Sequence, residues 1–375
     1  MRVFASFCIF LFVFGCSTPS EKKELKSHDI THVKLGMVDS KLIDSDFFNG
    51  SESIILESNQ FSMLKIIDRI FIDENKLFVF DAASDKLVCF DKNGKYLKHI
   101  QNVGRGPNEY SSLMDVVHDI ANKRLLLITD YPYSILTYDY EFNLIDKVTL
   151  DDLYLSGVVA DKSLILLRSE LENMLPSDFY LDIYDLKTKS FIESRLPIDA
   201  NDKGLYNQTG IFRGKQVTSS TSALITTKEE GLIYEFSSGD AKLKYVIDFS
   251  VLRDEPTVWR QIANPFETEN YLLFNATDLG ILVYDKNINE LTSYTQGVGN
   301  FNYLGGATMN RFIPIGGDNN LVAFVYDPAL MKQAEKNIQV FKEQNKDVQV
   351  NNDYLDFAKA VDINSNKIIF FYSVK

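Results

Sequence analysis

Residues 76–100 read KLFVFDAASDKLVCFDKNGKYLKHI, and this stretch decides the fold class. Lys76–Asp81, Lys86–Phe90 and Tyr96–Ile100 are three short runs rich in branched and aromatic side chains, which is the composition of strands. Between the second and third lies Asp91-Lys92-Asn93-Gly94. Asn-Gly between apolar runs is the strongest short-range signal for a hairpin. The segment is therefore an antiparallel meander.

Working outward, the same grammar returns along the chain. It is seen at 125–129, 135–138 and 144–150, at 164–168 and 180–184, at 223–227 and 231–236, and at 271–275 and 281–284. Aromatic-acid pairs close these runs: Phe90-Asp91, Tyr138-Asp139, Tyr184-Asp185, Tyr234-Glu235 and Tyr284-Asp285, at intervals of 48, 46, 50 and 50 residues. A period of 40–50 residues built from short strands is that of propeller blades. Asp91, Asp139, Asp185 and Asp285 read as turn formers, since Asp hydrogen-bonds the backbone two residues on. A sixth unit spans Phe312–Tyr326 and is completed by Lys367–Val374. Ser53-Ile54-Ile55-Leu56 has no unit of its own and is predicted to pair beside the C-terminal strand, closing the ring and removing exposed edges. The predicted fold is all-β: a six-bladed β-propeller of four-stranded antiparallel blades over residues 51–375.

One insertion, at about 328–360, breaks the pattern. Asp327-Pro328 has the form of an N-cap followed by proline at the first helical position. Leu330, Ala334, Ile338 and Phe341 then recur at helical spacing, and a second helical stretch covers Tyr354–Ala360. Two readings stand: a helix packed on the last blade, or a lid.

The N-terminus carries an address. Met1-Arg2 is a short basic start, and Val3–Phe14 is an apolar run shorter than the roughly 20 residues a spanning helix needs. Val13-Phe14-Gly15-Cys16 resembles the lipobox of bacterial lipoproteins, with Phe14 larger than the usual occupant. The resemblance implies a signal at 1–15, acylation of Cys16, and attachment to the bilayer through its acyl chains. Residues 16–50 are read as the acylated cysteine and a flexible tether, polar and low in apolar side chains at its start. Ser17 stands where inner-membrane lipoproteins carry Asp, which by the same resemblance implies the outer membrane.

The chain has 39 Lys and Arg against 52 Asp and Glu, a net charge of −13. So acidic a protein is not built for nucleic acid, whose phosphates demand basic side chains. Nor is it built to lie flat on anionic lipid. Of three cysteines, Cys8 leaves with the signal and Cys16 is acylated, so Cys89 stands alone in a strand and is expected to be a small buried core residue.

Residues 102–110 read NVGRGPNEY. Gly104 and Gly106 permit positive φ, and Pro107 pushes Gly106 extended. Following Phe90-Asp91-Lys92-Asn93-Gly94-Lys95-Tyr96, this resembles the signature of six-bladed β-propeller lipoproteins of Bacteroidetes, and more distantly NHL- and TolB-like propellers. The resemblance covers Ile54 to the C-terminus and implies an exported lipoprotein with no shared reaction. Two readings of the loop stand. It is a blade-to-blade staple, with Glu109 accepting backbone N–H groups and Tyr110 covering the second blade. Alternatively, Arg105, Asn108, Glu109 and Tyr110 bind a polar or anionic ligand at the channel mouth.

No hydrolase triad, nucleophile elbow or phosphate loop is present. Four histidines lack metal-ligand spacing, and His99 and His118 are expected to be structural. No cofactor is called for by a motif. The alternative is calcium or an acid/base pair in the channel, for which Asp115, Glu109 and Asp130 are the first candidates. Trp259, with Arg260 and Pro265-Phe266, is read as core or as a stacking platform for sugar. The function expected is a membrane-anchored binding module for a polysaccharide, peptide or outer-membrane uptake-complex partner. The alternative is a channel-metal-dependent hydrolase or lyase of the lactonase type.

Overall fold

The computed structural model describes residues 30–375 except 40–41, 44–46, 74, 161, 169–178, 198–221, 227–230, 238, 253–261, 277–278, 295–296, 299–311, 316–319, 330 and 333–358. The signal, Cys16 and Trp259 lie outside the described residues. The N-terminal arm contributes β1 (Thr31–Asp39), β2 (Leu42–Ile43) and β3 (Phe48–Ile55). The first sheet follows, with β4 (Arg69–Asp73), β5 (Lys76–Asp81), β6 (Lys86–Asp91) and β7 (Tyr96–Ile100). The second is β8 (Leu113–Asp119), β9 (Arg124–Thr129), β10 (Ser134–Asp139) and β11 (Leu144–Thr149). The third is β12 (Tyr154–Ala160), β13 (Ser163–Arg168), β14 (Phe179–Asp185) and β15 (Ser190–Pro197). Each of these three is a four-stranded antiparallel meander.

The fourth unit has three strands of its own, β16 (Ser222–Thr226), β17 (Leu232–Ser237) and β18 (Asp240–Asp248). The fifth has β19 (Ile262–Glu267), β20 (Tyr271–Ala276), β21 (Gly280–Asp285) and β22 (Glu290–Tyr294), with the two-residue β23 (Gly297–Val298) after it. In the sixth, β24 (Ile313–Pro314), β25 (Leu321–Tyr326) and β26 (Ile368–Val374) are joined by β3 from the other end of the chain. The first strands neighbour one another in sequence: β8 with β12, β12 with β16, β16 with β19, β19 with β24, and β24 with β4. The fold is all-β, with the sheet-after-sheet arrangement of a β-propeller.

Alternation along the strands builds the core. Phe78, Phe80, Leu87 and Cys89 from the first sheet meet Leu125, Leu127, Leu136 and Tyr138 from the second in one buried cluster, and similar clusters fill the other sheet interfaces. Cys89 is buried as expected, and burial pushes its thiol up to about 11. The strand-end acids form turns as read: Asp91 Oδ1 accepts from Asn93 and Lys95 N–H at 2.8 and 2.9 Å, and Asp139, Asp185 and Asp285 repeat the motif. Tyr234-Glu235 does not fit, because it lies within β17 rather than at a strand end. The turn former of that unit is Asp248, which accepts from Ser250 N–H at 2.8 Å.

Closure follows the expectation. Ile54 and Ile55 pair antiparallel with Ile369 and Ile368. Gly94 permits the seam: at φ +83°, its absent Cβ would stand 2.3 Å from the Ile55 carbonyl oxygen. Strand pairing, however, begins at Thr31, inside the stretch 16–50 read as a flexible tether. Residues 31–34 of β1 pair parallel with β18, and residues 35–39 pair parallel with β22. β1 thus joins the fourth and fifth units into one eight-stranded sheet. Val33 and Leu35 drive this, since both are buried among Tyr245, Ile247, Phe274 and Leu291. β2 continues the arm by pairing with β23. Two buried side chains among polar neighbours make a weak hydrophobic signal, and their partners lie more than 200 residues away.

The helical insertion falls mostly outside the described residues. At its expected start, Asp327 Oδ1 accepts from Ala329 N–H at 3.0 Å, and Met331 N–H donates to the Asp327 carbonyl at 3.2 Å.

Candidate functional site

The 102–110 loop links the outer strand of the first sheet to the inner strand of the second. Its backbone folds on itself: Tyr110 N–H donates to Asn102 O and Gly104 N–H to Tyr110 O, each at 3.0 Å. Glu109 Oε2 accepts from Gly106 N–H at 2.6 Å. A Cβ on Gly104 would stand 2.0 Å from that carboxylate, so a larger residue there would push the Glu109 side chain aside. One carboxylate oxygen of Glu109 is therefore engaged inside the turn, while the residue stays exposed. Tyr110 is fully buried; its hydroxyl donates to Asp85 O at 3.1 Å and accepts from Asn102 N–H at 3.2 Å. A side chain so enclosed cannot touch a ligand, and the binding role expected of Tyr110 gives way to packing.

Arg105 and Asn108 are placed differently. Both are exposed on this pinned loop, and neither side chain has a hydrogen-bond partner among the described residues. Beside them, Lys147 Nζ donates to the Pro107 carbonyl. The Tyr131–Tyr133 turn is tied to the same loop, with Ser111 N–H donating to Tyr131 O at 2.9 Å and Asp130 N–H to Ser112 O at 2.9 Å. The Tyr131 ring is 73% exposed. The loop and this turn form a surface with a guanidinium, an amide and an aromatic ring open to solvent.

The acid singled out for a metal has another employment. Asp115 is buried on β8, where Arg69 of β4 grips it through Nε and Nη2 at 2.6 Å each. Val116 and Gly157 N–H donate to the same carboxylate at 2.9 and 3.1 Å, and Arg69 Nη2 also reaches Gly157 O at 3.3 Å. Burial pushes the Asp115 carboxyl up, while the guanidinium and two amides pull it back. The pair ties the first strands of three successive sheets. Asp115, Glu109 and Asp130 are not brought together. Among the described residues no three His, Cys, Asp or Glu side chains are placed to hold a metal.

His118, on an inner strand, and His99, on an outer one, are both structural in setting. His118 Nε2 lies 2.5 Å from the Tyr140 hydroxyl, which donates to Asp73 Oδ2 at 2.6 Å, and burial lowers the imidazole to about 4. His99 Nδ1 lies 2.8 Å from the Tyr96 hydroxyl, with Phe61 stacked on its ring.

Residues 36–373 match a domain of unknown function, DUF4934. The chain belongs to the DUF4934 family. No curated protein matches it. Among solved structures, this DUF4934 chain is similar to a candidate exported protein from Bacteroides fragilis, at 16% identity and a TM-score of 0.68, covering 92% of this chain and 100% of that one. At that identity the likeness is one of fold. A member of the duf4221 family from Bacteroides vulgatus aligns at 9% identity and a TM-score of 0.47 over 88% and 97% of the two chains. BamB from Moraxella catarrhalis aligns at 10% identity and 0.42 over 72% and 68%.

Sequence reasoning on this DUF4934 chain missed Arg69 and Tyr131. A basic residue opening the apolar run Arg69–Asp73 was the available sign of the first. Nothing local marks Tyr131 as exposed among so many buried tyrosines.

Proposed function

We propose that this protein is an exported lipoprotein, anchored to the outer membrane by acyl chains on Cys16, whose six-bladed propeller binds a polar or anionic ligand through the 102–110 loop. The observation that carries the reading is the contrast within that loop. Glu109 braces the turn through one carboxylate oxygen and Tyr110 is buried, while Arg105 and Asn108 are presented to solvent with their donors unengaged among the described residues. A guanidinium held on a preorganised backbone loses little entropy on binding an oxyanion. Six blades, the last built from both chain ends, are part of this proposal; the four-stranded sheets described and the resemblance to Bacteroidetes propeller lipoproteins support the count. The exposed Arg105 guanidinium, with Lys147 beside it, suits a polysaccharide or peptide bearing carboxylate or sulfate groups.

Two experiments test this. Retention of polygalacturonate and chondroitin sulfate, with dextran as the neutral control, is expected for the wild type and lost in Arg105→Ala at unchanged Tm. Equal behaviour of the two proteins removes the loop from the reading. Cys16→Ala is expected to move the protein from the membrane fraction to the soluble one, and continued membrane attachment refutes the anchor.

A further inference from the structure

We propose that the junction of the fourth and fifth sheets is the edge of the ring that faces the lipid bilayer, and that the 102–110 loop is thereby held on the membrane-distal side. The inference rests on the lipid-anchor reading above and adds an orientation to it.

β1 is the last described element before the anchor, and it is not free to wander. Its parallel ladders to β18 and β22 place Thr31 at Tyr245 and Asp39 at Tyr294. The same junction is stiffened from within by Glu267, which accepts from Lys244 Nζ at 2.8 Å, Lys286 Nζ at 2.7 Å and the Tyr245 hydroxyl at 2.5 Å. Any tether from Cys16 therefore leaves from this junction.

The 102–110 loop belongs to the opposite junction. Tyr110 ties it to Asp85 of the first sheet, and Lys147 of the second sheet holds Pro107. Going around the first strands, β4 to β8 by the Arg69–Asp115 pair and onward through β12, β16, β19 and β24 back to β4, the two junctions are three sheets apart in either direction.

Length turns this placement into an orientation. Residues 17–30 can span at most about 50 Å fully extended. A ring with four strands about 4.8 Å apart on each side of its channel is on the order of 40 Å across. To bring the 102–110 loop against the lipid, the tether would have to run nearly taut past the whole ring, and that conformational restriction is unfavourable. From the fourth–fifth junction, the same length of chain reaches the lipid without crossing the ring.

The test uses the full-length lipoprotein, made with its own signal and reconstituted into phosphatidylethanolamine–phosphatidylglycerol vesicles carrying a headgroup-linked acceptor dye. A donor dye is placed on Val38→Cys in β1 or Val103→Cys in the loop. These sites are 49% and 50% exposed, whereas Cys89 is buried and stays unlabelled. Energy transfer is expected to be about twofold or more stronger from position 38, given the ring's width. Lengthening the tether with a Gly/Ser segment after Lys26 should bring the two signals together. Equal transfer, or stronger transfer from position 103, in membrane-bound protein of native tether length overturns the orientation and leaves the anchor standing. Protein recovered free of the vesicles overturns both.

Discussion

At Arg69 and Asp115 two charges are taken out of water, and only their mutual fit makes that tolerable. Removing one partner strands the other, which typically costs 3–5 kcal/mol. Arg69→Met is therefore expected to lower unfolding free energy by about that much, and Arg69→Met with Asp115→Leu to recover a large part of it, both read from urea denaturation. His118 makes a second residue-scale prediction. Its folded pKa of about 4 lies below the ordinary 6.5. The unfolded chain therefore takes up a proton that the folded one refuses, and stability is lost as pH falls from 6.5 towards 4. Over that window the wild type should lose about 3 kcal/mol more than His118→Gln, which has no proton to refuse. Chemical denaturation at pH 7 and pH 4 compares them. Parallel pH profiles would show that the imidazole is solvated.

Among the elements, β1 shows how a short strand can hold a large interface. Leu35 is 1% exposed in the cluster that joins the fourth and fifth units. Leu35→Ala should cost about 2–5 kcal/mol through lost burial and the cavity left behind. The neighbouring exposed Val38→Ala should change stability by no more than about 0.5 kcal/mol. Equal effects of the two would mean that β1 is a dispensable edge. The strands of the first three sheets were legible because each meander is local and its turn residues, Asp91 and Asp139 above all, act on their own backbone. β1 was not, since its partners are supplied by residues 245–248 and 291–294 and its own alternation covers only Val33 and Leu35. The fourth unit was misphased for a related reason. Its outer strand comes from the N-terminus, so the spacing points to Tyr234-Glu235 as the strand end that Asp248 in fact provides.

For the molecule as a whole, closure is the cooperative event. β26 is flanked by β25 and β3, and carries Ile368, Phe370 and Tyr372 into the cluster shared with Phe324 and Phe48. Ending the chain after Asn366 strips β3 and β25 of their common partner and opens that cluster, so the product should be insoluble or lack a cooperative melt by calorimetry. A soluble truncated chain with a sharp transition would place the closure elsewhere. Of the candidate site, the loop at 102–110 was legible as a motif. The division of labour within it was not, because a sequence does not say that Tyr110 points inward to Asp85 while Arg105 points outward.

By itself the sequence determined the all-β class, the meander repeat, the turn chemistry and the strand that seals the ring. Each depends on side chains acting on neighbouring backbone or on alternation within one strand. Tertiary structure alone decided that β1 clips two sheets together, that Asp115 is held by Arg69, and that β1 lies three sheets from the 102–110 loop. Those facts depend on which distant segments come within contact range. Only the folded ring sets that, because the free energy that selects them comes from burying surfaces contributed by strands far apart in the chain.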